Sequence, residues 1–136
     1  MNVKDAEKDA REMSPNVEGN AVVVGKRMLV WLVRIEGDGV ILRHSHPHEQ
    51  VSICLRGEAE SRFKRRKRTY KAGDVAIYAS REKHGPFRAV RGSSALFLDI
   101  FSPPRKDFLK LLSARRFYSG KSRYSRLDRD PTSRST

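Results

Sequence analysis

The stretch GVILRHSHPHEQVSICLRGEAE, residues 39–60, decides how this chain is read. It holds three of the four histidines, His44, His46 and His48, within five residues. Val40, Ile41 and Leu42 precede them, and Val51, Ile53 and Leu55 follow in alternation with Gln50, Ser52 and Cys54. Such runs read as strands. In a strand, residues i and i+2 point to the same face, so His44 and His46 aim their imidazoles at one place. Gln50 follows the Pro47 turn and enters that face as the next strand begins. His84 is the remaining histidine, reached after further strand and turn signals. Three neutral imidazoles and an amide oxygen suit a divalent ion of the series Mn, Fe, Co, Ni or Zn. His48 follows a proline that breaks the strand and is expected at a pocket rim or in solvent. Glu49 would replace Gln50 as a ligand only by a one-residue slip to the other face.

Outward from this stretch the pattern stays β. AVVVG and RMLVWLVRI come before it, and TYKAGDVAIYA, GPFRAV and SALFLDIF come after. Gly25, Gly37, Gly39 and Gly57 punctuate the runs, Gly57 as a turn between two strands, with a further turn at Ala72-Gly73-Asp74. Roughly eight short strands at this spacing predict an all-β sandwich or barrel. Pro103 and Pro104 end the last strand. Phe108, Leu111 and Leu112 then fall at i, i+3 and i+4, which predicts one short C-terminal helix over 107–112. The expected organisation is a flexible N-terminal arm over 1–19, a barrel with its helix over 20–113, and a basic, disordered tail over 114–136.

Composition narrows the classes further. The chain has 136 residues and 38% hydrophobic content, enough for one core. Its single cysteine, Cys54, forms no intrachain disulfide and is expected as a small buried thiol. No apolar run reaches the ~20 residues that span a bilayer, and the first residues read as no secretory signal, so the expected location is the cytoplasm. The formal net charge is +13. Residues 56–71 hold eight Lys or Arg against Glu58 and Glu60, and residues 113–136 hold seven against Asp128 and Asp130. Such charge attracts small anionic substrates or polyanions. The Lys64–Arg68 run carries no interleaved aromatic residues, so nucleic acid is not the favoured partner.

Residues 39–60 resemble the first motif of the cupins, HxHxxxE followed by Gly, with Gln50 in the usual glutamate position. GDVAIYASREKH resembles the second, with Ala79 and Arg81 where Pro and Gly are usual and Arg88 where Asn is common. LDIFSPPRKDFL, residues 98–109, is similar to the ending of the KdgF-type pectin-degradation cupins, which linearise 4,5-unsaturated uronates. The resemblance covers roughly residues 22–112. It implies a cupin (RmlC-like) jelly-roll barrel and a homodimer. It also implies His44, His46, Gln50 and His84 as metal ligands, with Asp99, Phe101 and Arg105 lining the active site.

The chemistry of those residues is consistent with that implication. Four neutral ligands leave a divalent ion its full charge, a strong Lewis acid for enolate oxygen. Asp99 interrupts an apolar strand and can move protons between enol and keto forms. Arg105 can hold a carboxylate in two hydrogen bonds, and Phe101 can support a sugar face. The expected function is ring opening and ketonisation of an unsaturated uronate. Two alternatives stay open: another metal-dependent cupin enzyme (dioxygenase or isomerase), and a non-catalytic ligand sensor or polyanion-binding module. Trp31 and Arg34, on an early strand, could reach either the pocket or a subunit interface.

Overall fold

The computed structural model describes residues 1–91 and 93–119, with side chains as far as residue 113. The elements, in chain order, are α1 (Val3–Lys8), β1 (Arg11–Ser14), β2 (Val17–Val24), β3 (Leu29–Glu36), β4 (Val40–Ile41), β5 (Glu49–Phe63), β6 (Arg66–Lys71), β7 (Val75–Tyr78), β8 (Phe87–Ala89), β9 (Ser94–Ser102) and α2 (Lys106–Ser119). The nine strands described pair antiparallel throughout, so the all-β expectation holds.

The strands form two faces that share β5. One face runs β1-β2-β3-β9-β5-β7, and the other runs β4-β8-β5-β6. The two halves of β5 therefore serve different faces. Its first half pairs with β9 and β7, and its second with β6 and β8. The change comes at a register irregularity between Cys54 and Arg56, followed by Gly57 at φ +75°. Gly57 is thus not a turn between two strands, as the sequence suggests, but a bend inside one long strand. A Cβ there would lie 1.7 Å from the Ser94 carbonyl oxygen, so only glycine lets β5 curl against β9.

Alternation on β3 sorts the core. Leu29, Trp31, Val33 and Ile35 point between the faces, joining Phe97 and Phe101 of β9. Each large apolar side chain buried there contributes about 1.5–3 kcal/mol. Leu32 points the other way and packs with Val22, Leu96 and Ala6 of α1.

That second cluster corrects the expectation of a flexible arm over 1–19. Ala6 is fully buried, and its carbonyl accepts a hydrogen bond from Asn20 Nδ2 at 3.0 Å. Glu7 forms ion pairs with Arg34 and Arg56. Arg34 also pairs with Glu18 and Glu36, which puts it on the outer face, away from the cavity. A six-residue helix shows too little periodicity to be legible, and its stability comes from this tertiary seat. At the other end, α2 begins one residue before the expected 107 and runs to Ser119, taking in 114–119, which were expected in the tail. Ala114 through Tyr118 contains neither Gly nor Pro to stop a helix. The rest of the expected disordered tail, 120–136, lies outside the described residues.

Candidate metal centre

His44, His46 and His84 converge at one end of the space between the two faces. Their ligand atoms all lie within 4.8 Å of one another. His46 does not sit in a regular strand, as the parity argument supposes; it lies in the loop before β5. Two backbone contacts hold the arrangement. His44 and His84 exchange N–H···O bonds of 2.9 Å in both directions, and Arg81 N donates to His46 O at 2.7 Å.

The rings are oriented by one repeated device. His44 Nδ1 donates to Leu42 O at 2.7 Å, His46 Nδ1 to His48 O at 3.0 Å, and His84 Nδ1 to Glu82 O at 2.8 Å. A carbonyl only accepts, so each Nδ1 carries a proton, and in the neutral ring Nε2 keeps its lone pair. Burial lowers the pKa of His44, with the Arg105 and His46 charges adding to it. Burial brings His84 down to about 4. Both rings are therefore neutral at pH 7, the state that ligation needs. Tyr78 stacks on His84 at 4.4 Å between ring centres, and its hydroxyl shares a 3.0 Å hydrogen bond with Tyr70.

Gln50 completes the cluster through a directed relay. Its Nε2 donates to Ser52 Oγ at 2.8 Å, and Ser52 Oγ donates to Asp99 Oδ1 at 2.7 Å. That polarity turns Gln50 Oε1 toward His46 Nε2, 2.9 Å away. In the neutral ring with Nδ1 protonated, both of these atoms are acceptors, and the approach suits a cation shared by the two. His84 Nε2 adds to the case, being buried with no hydrogen-bond partner. The donor set therefore fits a divalent metal. The three imidazoles and the Gln50 amide oxygen could hold it. Glu49 is exposed, and so is not the fourth donor. His48 is half-buried and stands beside His46, 5.3 Å between ring centres, but outside the cluster.

The cluster opens on a cavity of ≈ 390 Å³. Asp99 and Arg105 line its polar end together with His44, Gln50 and Ser52. Desolvation raises the Asp99 carboxyl to about 6, partly offset by its bond from Ser52 and the charge of Arg105. The Arg105 guanidinium lies 3.8 Å over the Phe108 ring and pairs with Asp107 at 2.7 Å. Phe101 is 1% exposed and meets the His46 ring edge-on at 5.6 Å, forming both cavity wall and core.

The cupin domain family model matches residues 31–101, more than half of the chain. The chain belongs to the cupin family. Solved cupin-like structures share its fold. KdgF from Halomonas sp. superposes with TM-score 0.66 at 24% identity, over 75% of this chain and 92% of that one. An RmlC-like cupin from Shewanella frigidimarina NCIMB 400 gives TM-score 0.68 at 18% identity, over 79% and 93%. The polyketide cyclase RemF from Streptomyces resistomycificus gives 0.62 at 17%, over 70% and 75%. No functionally curated protein matches the sequence.

Two residues of this cupin's centre were not anticipated. Ser52 shares the face of Gln50 at i+2, but a serine at that parity carries no signal without its partner on β9. Tyr78 stands opposite Gln50 in the β5–β7 register, visible only once the strands are paired. Of the two early-strand residues, Trp31 lines the cavity. Cys54 is buried in the core, and burial raises its thiol above the ordinary value. The Lys64–Arg68 run lies at the β5–β6 hairpin, beside a groove that reaches Tyr78 and His84. There Arg43 stacks 3.7 Å over Phe63, and Arg68 lies 5.0 Å over Tyr70. No helix among the described residues is long and apolar enough to cross a membrane.

Proposed function

We propose that this cupin is a metal-dependent enzyme that converts enol to ketone in a small carboxylated substrate, with 4,5-unsaturated uronates as the sugar-acid case. The observation that carries the reading is the unbroken line from His46 through Gln50 and Ser52 to Asp99, on the wall of the cavity. His44, His46, Gln50 and His84 would hold a divalent transition metal, which supplies Lewis acidity toward a substrate oxygen. Asp99, with its carboxyl raised to about 6, exchanges protons near neutrality. In a uronate, opening the hemiacetal breaks the bond from ring oxygen to anomeric carbon. An aldehyde forms there, and an enol forms beside the carboxylate. Asp99 takes the enol proton, and a proton is delivered to the neighbouring carbon, giving the ketone with no net gain of atoms. Arg105 faces the cavity from its seat on Phe108, and supports binding of the substrate carboxylate. Phe101 walls the site.

The test is loss of the unsaturated uronate's absorbance by metal-loaded protein. Asp99→Asn is expected to slow it at least about 100-fold, since general acid–base groups contribute about 10²–10⁴. Retained activity in that variant, with metal bound, would remove Asp99 from the mechanism.

A homodimer in the cytoplasm belongs to the same proposal. Val75 and Ile77 of β7 and Leu55 of β5 are exposed on the outer face, where Ile77 pairs with Val51 and Val75 with Ile53. A second copy seated there would cover this apolar strip. The second functional reading is polyanion binding at the β5–β6 hairpin, favoured by the aromatic rings that the fold brings beneath Arg43 and Arg68. Salt-sensitive binding of single-stranded DNA that survives metal removal would support it.

A further inference from the structure

The polar groups of the ≈ 390 Å³ cavity are concentrated at one end. Away from His44, Gln50, Ser52, Asp99 and Arg105, its wall is made by side chains such as Met13, Val17, Val33, Ile35, Ile41 and Phe97. Most of these belong to the main hydrophobic core or pack against it. Few hydrogen-bonding groups interrupt this wall: Ser14 at the β1 end and Tyr78, whose hydroxyl is already engaged with Tyr70; the Trp31 indole nitrogen is packed against Gly19.

Such a wall suits one ligand chemistry and disfavours another. A free hexuronate carries hydroxyls around its ring. With its carboxylate at Arg105, those hydroxyls would meet carbon, and each would lose a water partner without replacement. An alkyl or aryl group would instead exchange water for close apolar contact. We propose that the cavity prefers an enolisable carboxylate bearing an apolar body of several carbons, and takes a free sugar acid only as a more weakly bound substrate. This rests on the reading of the polar end as a metal-and-arginine head site, and narrows the substrate class for it. The carboxylate and enol oxygens occupy the head site, and the body fills the annex beneath β1 and β4.

Trp31 is the single tryptophan and lies in the annex wall, so its fluorescence reports occupancy directly. Full-length protein loaded with zinc is titrated with pyruvate, phenylpyruvate and galacturonate, and each titration is repeated after chelation. Burial of apolar carbon tightens binding about fourfold per methylene equivalent. Phenylpyruvate is therefore expected to bind at least tenfold more tightly than pyruvate or galacturonate. Ile41→Phe, on the short strand β4, narrows the annex and should erase that margin while leaving pyruvate binding in place. Met13→Phe serves the same purpose if the first variant does not fold. Equal affinity for pyruvate and phenylpyruvate, tighter binding of galacturonate, or no binding of any of the three would overturn the inference. A phenylpyruvate preference that persists without zinc would uphold the apolar annex while removing the metal from the head site.

Discussion

His44 and His84 are joined by a single antiparallel bridge in which each backbone N–H donates to the other's carbonyl at 2.9 Å. The bridge fixes two cluster members from distant parts of the chain through main-chain atoms alone. Their side chains are left free to serve the centre. The rings sit 4.4 Å apart at 62°, so their Nε2 lone pairs converge rather than stack.

Ser52 is the hinge of the relay between Gln50 and Asp99. Ser52→Ala leaves the Gln50 amide free to flip, so its NH2 can face the imidazoles in place of its oxygen. Metal affinity is expected to fall about 10- to 100-fold, the usual cost of losing an outer hydrogen bond that orients a ligand. A competition titration against a chelating dye measures it. Ser52→Thr, which keeps a hydroxyl, should retain most of the affinity.

Arg81 occupies a left-handed conformation, φ +66°, at the position where the second cupin motif usually has glycine. Its N–H to His46 O bond needs only backbone. Arg81→Gly should therefore keep the loop and relieve a strain of about 1–2 kcal/mol, offset in part by the greater freedom of glycine in the unfolded chain. The expected net is a gain of roughly 0.5–1 kcal/mol, read as a higher urea midpoint with unchanged slope.

Glu7 ties α1 to the sheet, and its hydrogen bond from Arg56 is the main cause holding its carboxyl below the ordinary value of 4.5, with Arg34 adding to it against the desolvation that opposes both. A depressed carboxyl contributes stability above its unfolded pKa and loses it as pH falls through the folded one. The contribution is thus complete at pH 7 and fades below about 4.5. Glu7→Gln should lower the urea midpoint at pH 7, and by less at pH 3. No drop at pH 7 would show that the ion pairs add nothing and that the Ala6 contacts hold the helix without them.

Legibility in the sequence followed residue scarcity and strand parity. Three histidines and a glutamine at cupin spacing were enough to locate the cluster, and alternation along Gln50, Ser52 and Cys54 was enough to assign a face. The missing parts depend on contacts between distant segments. α1 is six residues long and offers little beyond Val3 and Ala6 to a periodicity argument. Gly57 is visible as punctuation, but whether it ends a strand or bends one depends on the carbonyl of Ser94 on β9. Ser52 becomes informative only beside Asp99, its register partner on β9. The apolar character of the cavity follows from the inward parity of β2, β3 and β9 together, which no single motif contains.

A divalent ion at the histidine cluster is central to the proposed chemistry. Isothermal titration of chelator-stripped protein with Zn²⁺ tests it most directly. The prediction is one tight site per chain in the wild type, lost in His44→Ala and His84→Ala, with both variants still folded by circular dichroism. Wild-type protein that takes up no metal, or variants that bind it as tightly, would contradict the account.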